Sequence, residues 1–198
     1  MAALDFPTSP TLNQIYSANN KSWIWDGSAW NPYTTSLSNS INYIDKDASE
    51  FIPRTTSGCG VDSTQLNTIN IDWLTFDAAT QEYAQVWFNW PNGWNTAKTT
   101  IYWQASGTSG SAVWGVGMRS FADGDALSTT VSGHKEVTDA VESSQTMRQT
   151  AAITGVIPNG AISGGNRTVL ELYRNASSVS DDLAVDAYFA GMKIERDT

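Results

Sequence analysis

The chain has 198 residues, enough for one mid-sized domain plus a small appendage, with a core that needs no disulfide or metal staple. Charged residues make up 16%, against about 25% in an average globular protein, and the net charge is −9. That balance excludes a nucleic-acid partner, which asks for a positive face, and an anionic membrane surface.

Lys and Glu are scarce, which disfavours long solvent-facing helices, while Ser, Thr, Asn and Gly supply turns and strands. Nine tryptophans exceed ordinary core need and point to an interface or a stacking surface as well. Cys59 is the single cysteine, so no intrachain disulfide forms, and a small semi-buried residue is the expected role. The opening MAALDFPTSPTLNQIYS lacks a basic n-region and an apolar h-region, so no secretory leader is expected. No apolar run approaches membrane-spanning length.

Residues 1–33 contain QIYSA–NN–KSWIWD–GS–AWNPY, short β-rich runs separated by Asn19-Asn20 and Gly27-Ser28, both able to supply positive φ. A small three-stranded meander is expected. Trp23 and Trp25 are two apart and share a strand face, with Tyr16, Trp30 and Tyr33 nearby. A meander this short buries too little to be very stable alone and is expected to dock on another chain. Residues 34–50, TTSLSNSINYIDKDASE, read as a polar linker with Ile41, Tyr43 and Ile44 as docking points.

From 51 to 198, strand-like segments recur with turn signals between them. NTINIDWLTFD sets Ile69, Ile71 and Trp73 against polar partners; EYAQVWFNW sets Ala84, Val86, Phe88 and Trp90 on one face. RTVLELYRN sets Leu170 and Leu172 against Glu171 and Arg174. Breaks fall at Pro91-Asn92-Gly93, Gly107 to Gly110, Asp123-Gly124-Asp125, Pro158-Asn159-Gly160 and Gly164-Gly165, and only ADGDAL suggests a helical turn. Gly115, Gly117 and Gly191 sit inside strand patterns and mark bulges or close backbone approaches. About eight strands in roughly 145 residues suit an antiparallel jelly-roll β-sandwich, so the fold class is all-β.

The opening LDFPTSPTLNQIYSANNKSWIWDGSAW resembles a module of marine tailed-phage structural proteins, in which a D-F-P-x-S-P lead precedes a W-x-W-D-G-x-x-W hairpin. PRTTSGCG, FDAATQEYAQVWFNWPNGWN, VWGVGMRSFADGDAL and LYRNASSVSDDLAVDAYFAGMKI resemble a phage virion domain of the structural or tail-fibre type. The resemblance implies a virion component made in the bacterial host cytoplasm. It implies a jelly roll, homotrimeric. Capsid or tail subunits are the expected partners, with residues 1–33 as the anchor and the jelly roll as the anchoring end in the alternative arrangement. It transfers no catalytic residues.

The chain's own chemistry agrees with a non-enzyme. A serine triad has no G-x-S-x-G elbow, and His134 sits in a Ser-Gly-His-Lys turn. One His and one Cys are too few for a transition-metal site, and a phosphate loop would need a lysine the Gly107–Gly117 stretch lacks. Asp123 and Asp125 read as turn and cap residues, and Asp181, Asp182 and Asp186 as a solvated turn leading to a strand's outer face. No cofactor, metal or catalytic residue is therefore expected. The attachment or glycan-binding candidates are Tyr16, Trp23, Trp25, Trp30, Tyr33 and Trp94, the last in an exposed PNGWN turn; Trp73, Trp87, Trp90, Trp103 and Trp114 are expected in the core or a subunit interface. The leading expectation is a non-catalytic virion decoration, spike or fibre protein. The alternatives are an adhesin binding host-surface glycan and a polysaccharide-degrading spike.

Overall fold

The computed structural model describes residues 6–18, 21–33, 42–66 and 68–198. It divides into two units, 1–40 and 41–198.

The first unit holds the expected meander: β1 (Ile15–Ala18), β2 (Lys21–Trp25) and β3 (Trp30–Tyr33), antiparallel, with Tyr16 opposite Trp23 and Trp25 opposite Trp30. The Asn19-Asn20 turn lies outside the described residues. The second turn is built on Asp26, whose Oδ1 accepts from the backbone N–H groups of Ser28 and Ala29, both at 2.8 Å. Gly27 between them adopts φ +101°, a conformation that suits glycine.

The second unit is an antiparallel jelly-roll sandwich. Its strands are β4 (Tyr43–Asp47), β5 (Ile52–Pro53), β6 (Gly60–Leu66), β7 (Ile69–Phe76), β8 (Glu82–Asn89), β9 (Ala97–Ala105) and β10 (Ser111–Phe121). They continue with β11 (Ser132–Ala140), β12 (Arg148–Gln149), β13 (Ile153–Val156), β14 (Asn159–Gly160), β15 (Arg167–Arg174) and β16 (Ala187–Arg196). One sheet runs β11-β10-β15-β8-β5 with β14 on β10; the other runs β12-β9-β16-β7-β6 with β13 on β9 and β4 on β16.

The inner faces meet around Trp114 of β10. Its ring stands 5.2 Å from Phe76 and 5.8 Å from Trp103, both T-shaped, so one side chain of the first sheet grips two strands of the second. Ala84, Val86 and Phe88 point inward on β8 as their spacing requires, as do Leu170 and Leu172 on β15.

The expected linker 34–50 is shorter than its composition suggests. Tyr43–Asp47 pairs with β16, Ala48–Glu50 forms a 3-10 turn, and Ile44 packs on the core. Residues 34–41 lie outside the described residues. On β7 the inward residues are Leu74 and Phe76; Trp73 instead lies on the outer face against Tyr188, at 6.2 Å. The ADGDAL segment is a turn in which the Ala122 N–H donates to Asp125 Oδ2 at 2.8 Å, with no helix.

Arg174 departs most from expectation. It shares its parity with Leu170 and Leu172, and its side chain is fully buried rather than facing water. Asp181, expected in a solvated turn, is buried with it. The guanidinium donates Nη2 to Asp181 Oδ1 at 2.7 Å and Nε to Oδ2 at 3.0 Å. It also donates to the carbonyls of Phe76, Leu183 and Val185. Asp181 in turn accepts the Val113 N–H at 2.9 Å. A bidentate pair whose remaining donors are satisfied withstands burial, whereas half of one does not. Asp181→Ala is therefore expected to cost about 3–5 kcal/mol in urea unfolding, because it strands a buried guanidinium, while Arg174→Met combined with Asp181→Leu recovers much of that loss.

Candidate functional site

The face opposite the core on β8, β15, β10 and β11 forms a cleft. Strand alternation builds it. With Ala84, Val86 and Phe88 inward, Tyr83, Gln85 and Trp87 must point outward. On β15 the outward residues are Val169, Glu171 and Tyr173, and on β10 they are Gly115, Gly117, Arg119 and Phe121. Register places Glu171 between Gln85 and Gly117, and Tyr173 between Tyr83 and Gly115.

The two glycines do what their position suggested. A Cβ on Gly115 would lie 2.2 Å from Tyr173 Cζ, and one on Gly117 would lie 2.5 Å from His134 Cδ2. Both rings come close to the β10 backbone because no side chain is there, and they meet edge to face at 5.1 Å. A register shift between Val116 and Met118 supplies the expected bulge, and the break between Phe189 and Gly191 does the same in β16.

Glu171 is the centre of the polar half. It is 5% exposed, its Oε2 accepts from Gln85 Nε2 at 2.8 Å, and its Oε1 lies 3.2 Å from His134 Nε2. Arg54 Nη1 approaches Oε2 at 3.5 Å, and its guanidinium lies 4.4 Å over the Tyr83 ring. Burial pushes the Glu171 carboxyl up, but the hydrogen bonds from His134 and Gln85 and the Arg54 charge outweigh it, so the net shift is downward and the carboxylate stays ionised. The Tyr173 hydroxyl is pushed up by burial and by donating to Glu136 Oε1 at 2.8 Å, so it stays protonated. The other half has Trp87, Phe121 and Val169 as an apolar floor and Leu127, Thr129, Thr130 and Val131 as rim. The enclosed volume is about 430 Å³. A second hollow of about 430 Å³, lined by Ile52, Pro53, Thr55 and Thr56, shares Arg54, Gln85 and Trp87 with it. The two together make a groove that passes Arg54 on both sides.

Chemically, the groove offers a flat indole beside fixed donors and acceptors. Among the described residues, Glu171 is the one carboxylate in its lining, whereas glycoside hydrolysis uses a carboxyl pair across the bond. Among the described residues, no group of three or more His, Cys, Asp or Glu side chains is placed to hold a metal ion. Cys59 is buried, and burial, followed by the Glu82 charge, pushes its thiol up to about 12, which makes it a poor nucleophile.

The residues singled out in the sequence lie elsewhere. Tyr16, Trp23 and Trp30 pack around Phe6: Trp30 stacks on it at 5.3 Å, Trp23 meets it edge-on at 5.4 Å and Tyr16 lies at 5.1 Å. Trp25 leans on Trp30 at 5.6 Å, and Tyr33 pairs with Ser22 at the end of β3. These rings form a mini-core, each half-buried. Trp94 is not exposed. The turn folds back so that it is 3% exposed, edge-on to Trp90 at 5.7 Å, with its carbonyl accepting Trp90 Nε1 at 2.9 Å. Trp87, expected in the core or a subunit interface, is the indole of the groove. His134 lies in β11, not in a turn, and faces Glu171. Sequence reasoning missed Arg54, Tyr83, Gln85, Trp87, His134 and Glu171. The available signal was the outward parity of Tyr83, Gln85 and Trp87 beside the inward Ala84, Val86 and Phe88.

No protein-family model matches the chain, and no curated protein matches it. Solved structures do. The CBM22-2 xylan-binding domain of Paenibacillus barcinonensis Xyn10C matches with TM-score 0.50 and 12% identity, covering 78% of this chain and 99% of that one. The CBM22-1–GH10 modules of Clostridium thermocellum xylanase 10B, complexed with xylohexaose, match with TM-score 0.49 and 12% identity over 79% of this chain and 29% of that one. A CBM36 module in complex with calcium and xylotriose matches with TM-score 0.46 and 13% identity, over 77% and 99%. At such identities the likeness speaks to the fold, and the class it defines is the jelly-roll β-sandwich.

Asp26 carries the pH dependence of the hairpin turn. Hydrogen bonds from the backbone N–H groups of Ala29 and Ser28, then from the Ser28 hydroxyl and Asn31, hold its carboxyl at about 2, below the 3.8 of a free group. A depressed folded value stabilises above the unfolded one, so the contribution is complete above pH 3.8 and is lost as pH falls toward 2. An NMR titration of the full chain is expected to place the Asp26 midpoint near 2, and Asp26→Ala is expected to loosen β2–β3 at neutral pH without changing the sandwich signals.

Proposed function

We propose that the chain is a non-catalytic glycan-binding protein whose sandwich holds a sugar chain in the groove between Trp87 and Glu171. The observation that carries this is the pairing of the Trp87 ring with the Arg54–Gln85–Glu171–His134 network in one open trough. Apolar sugar faces stack on a flat ring, and fixed polar groups read the hydroxyls. The network is already formed without ligand, so little ordering is left for binding to impose. A single carboxylate in the lining supports binding over hydrolysis. The Paenibacillus sandwich of the same fold is described as a xylan-binding domain, an example of this use of the architecture.

The setting we propose is a tailed-phage particle, with the groove turned to host-surface glycan. The support is the resemblance of the W-x-W-D-G-x-x-W hairpin to phage structural modules, together with its packing. Its aromatics stack on Phe6 and on each other, which favours an attachment module over a free sugar platform. On this reading residues 1–33 anchor the chain to capsid or tail subunits as a homotrimer and the sandwich is displayed.

The two parts separate experimentally. Trp87→Ala is expected to reduce affinity for a binding polysaccharide by about tenfold or more in calorimetry, since a buried aromatic anchor commonly carries 1–3 kcal/mol, with the melting temperature nearly unchanged. Deleting residues 1–33 is expected to leave that affinity intact and to remove the chain from purified particles. Trp87→Ala with full affinity contradicts the groove; a deleted chain that still joins particles contradicts the anchor.

A further inference from the structure

We propose that the groove selects an anionic glycan, bearing carboxylate or sulfate-ester groups, through Arg119 and Arg167. This rests on the glycan-binding reading above and names its ligand class. The chain has 20 acidic and 11 basic residues, so an arginine without an acidic partner stands out. Among the described residues, Arg119 and Arg167 form no ion pair.

Both lie on the same sheet face just beyond the apolar end of the cleft, outside its lining but over two of its rings. Arg167 is opposite Phe121 and Arg119 is opposite Val169, so they face outward from adjacent strands on a diagonal. The Arg119 guanidinium lies 5.3 Å over Phe121 and the Arg167 guanidinium 5.8 Å over Trp87, two rings of the cleft floor. Cation–π contact fixes the planes in place but satisfies few N–H donors. Arg119 Nε is buried without a hydrogen-bond partner, and Arg167 reaches Asn89 Oδ1 only at 3.4 Å. The buried Nε fixes the guanidinium plane from behind, and the outer Nη pair of such a group matches the planar, two-oxygen geometry of a carboxylate or sulfate.

Neighbouring acids do not cancel the charge. Glu171 Oε2 and Oε1 are engaged by Gln85 and His134, with Arg54 beside them. Asp125 in the rim loop turns its carboxylate back to the Ala122 N–H. Arg54 remains 38% exposed and adds a third cation further along the groove. The net charge of −9 opposes polyanions at long range, but in physiological salt that repulsion is screened beyond about 8 Å, while contacts inside the groove persist.

The test is calorimetry of the full chain at physiological salt with four probes: alginate, carrageenan, carboxyl-reduced alginate and xylan. The expected result is that alginate or carrageenan binds roughly tenfold or more tighter than both neutral polymers, the size of one charge-assisted contact. Alginate and carrageenan separate carboxylate from sulfate ester as the source. Arg119→Gln with Arg167→Gln is expected to bring the affinity for the charged polymer down to that for the neutral ones while the melting temperature stays as it was. Equal or tighter binding to the neutral polymers, or a preference that survives the double variant, overturns this inference and leaves the groove itself standing. Binding to none of the four overturns both.

Discussion

Strand β15 is held on both faces, and the rest of the second unit depends on that. Inward, Leu170 and Leu172 fill the core, and the Arg174–Asp181 pair ties the strand's end to Phe76, Leu183 and Val185 across the sandwich. A one-residue slip would turn every side chain over and drive Glu171 into the core while pulling Arg174 away from its carboxylate. The buried ion pair is satisfied in the observed register and would be broken in a shifted one.

Once that register is set, the groove follows. Glu171 and Tyr173 must face outward, Gln85 and Tyr83 stand opposite on β8, and Gly115 and Gly117 stand opposite on β10. The missing side chains of the glycines let Tyr173 and His134 approach the β10 backbone closely, which brings His134 to Glu171. The site is thus rigid by construction: its polar members are braced by one another before any ligand arrives. The hairpin unit uses its aromatics differently. They are spent on one another around Phe6, with Asp26 fixing the turn, because a sheet of that size has no other core.

Much of the fold was legible. The alternation of Ala84, Val86, Phe88 and Trp90, the Gly27-Ser28 turn and the three-stranded meander matched the observed elements, since period and turn chemistry are local properties, whereas Asn159-Gly160, expected as a break, pairs with β10 as β14. Arg174 was misread because residue type was allowed to outweigh parity: a guanidinium suggested water, yet its position matched Leu170 and Leu172. Trp94 was misread because a Pro-Asn-Gly turn suggests exposure, while its return onto Trp90 is a tertiary contact. Trp73 shows the same limit on β7, where Leu74 and Phe76 took the core. The groove was least legible. Arg54, just past β5, and Trp87 and Glu171, on β8 and β15, lie far apart in sequence, and no local pattern announces that these elements will be neighbours. Composition pointed to the hairpin because its tryptophans cluster in sequence; the groove's rings cluster only in space.

The central claim is that sugar binds on the sandwich at Trp87 and not on the aromatic hairpin. The nine tryptophans each give an indole N–H signal, and these can be followed by NMR while an oligosaccharide of the binding class is added to the full chain. The account predicts that the Trp87 signal moves with ligand while those of Trp23, Trp25 and Trp30 stay in place. Movement of the hairpin signals with Trp87 unchanged would contradict it.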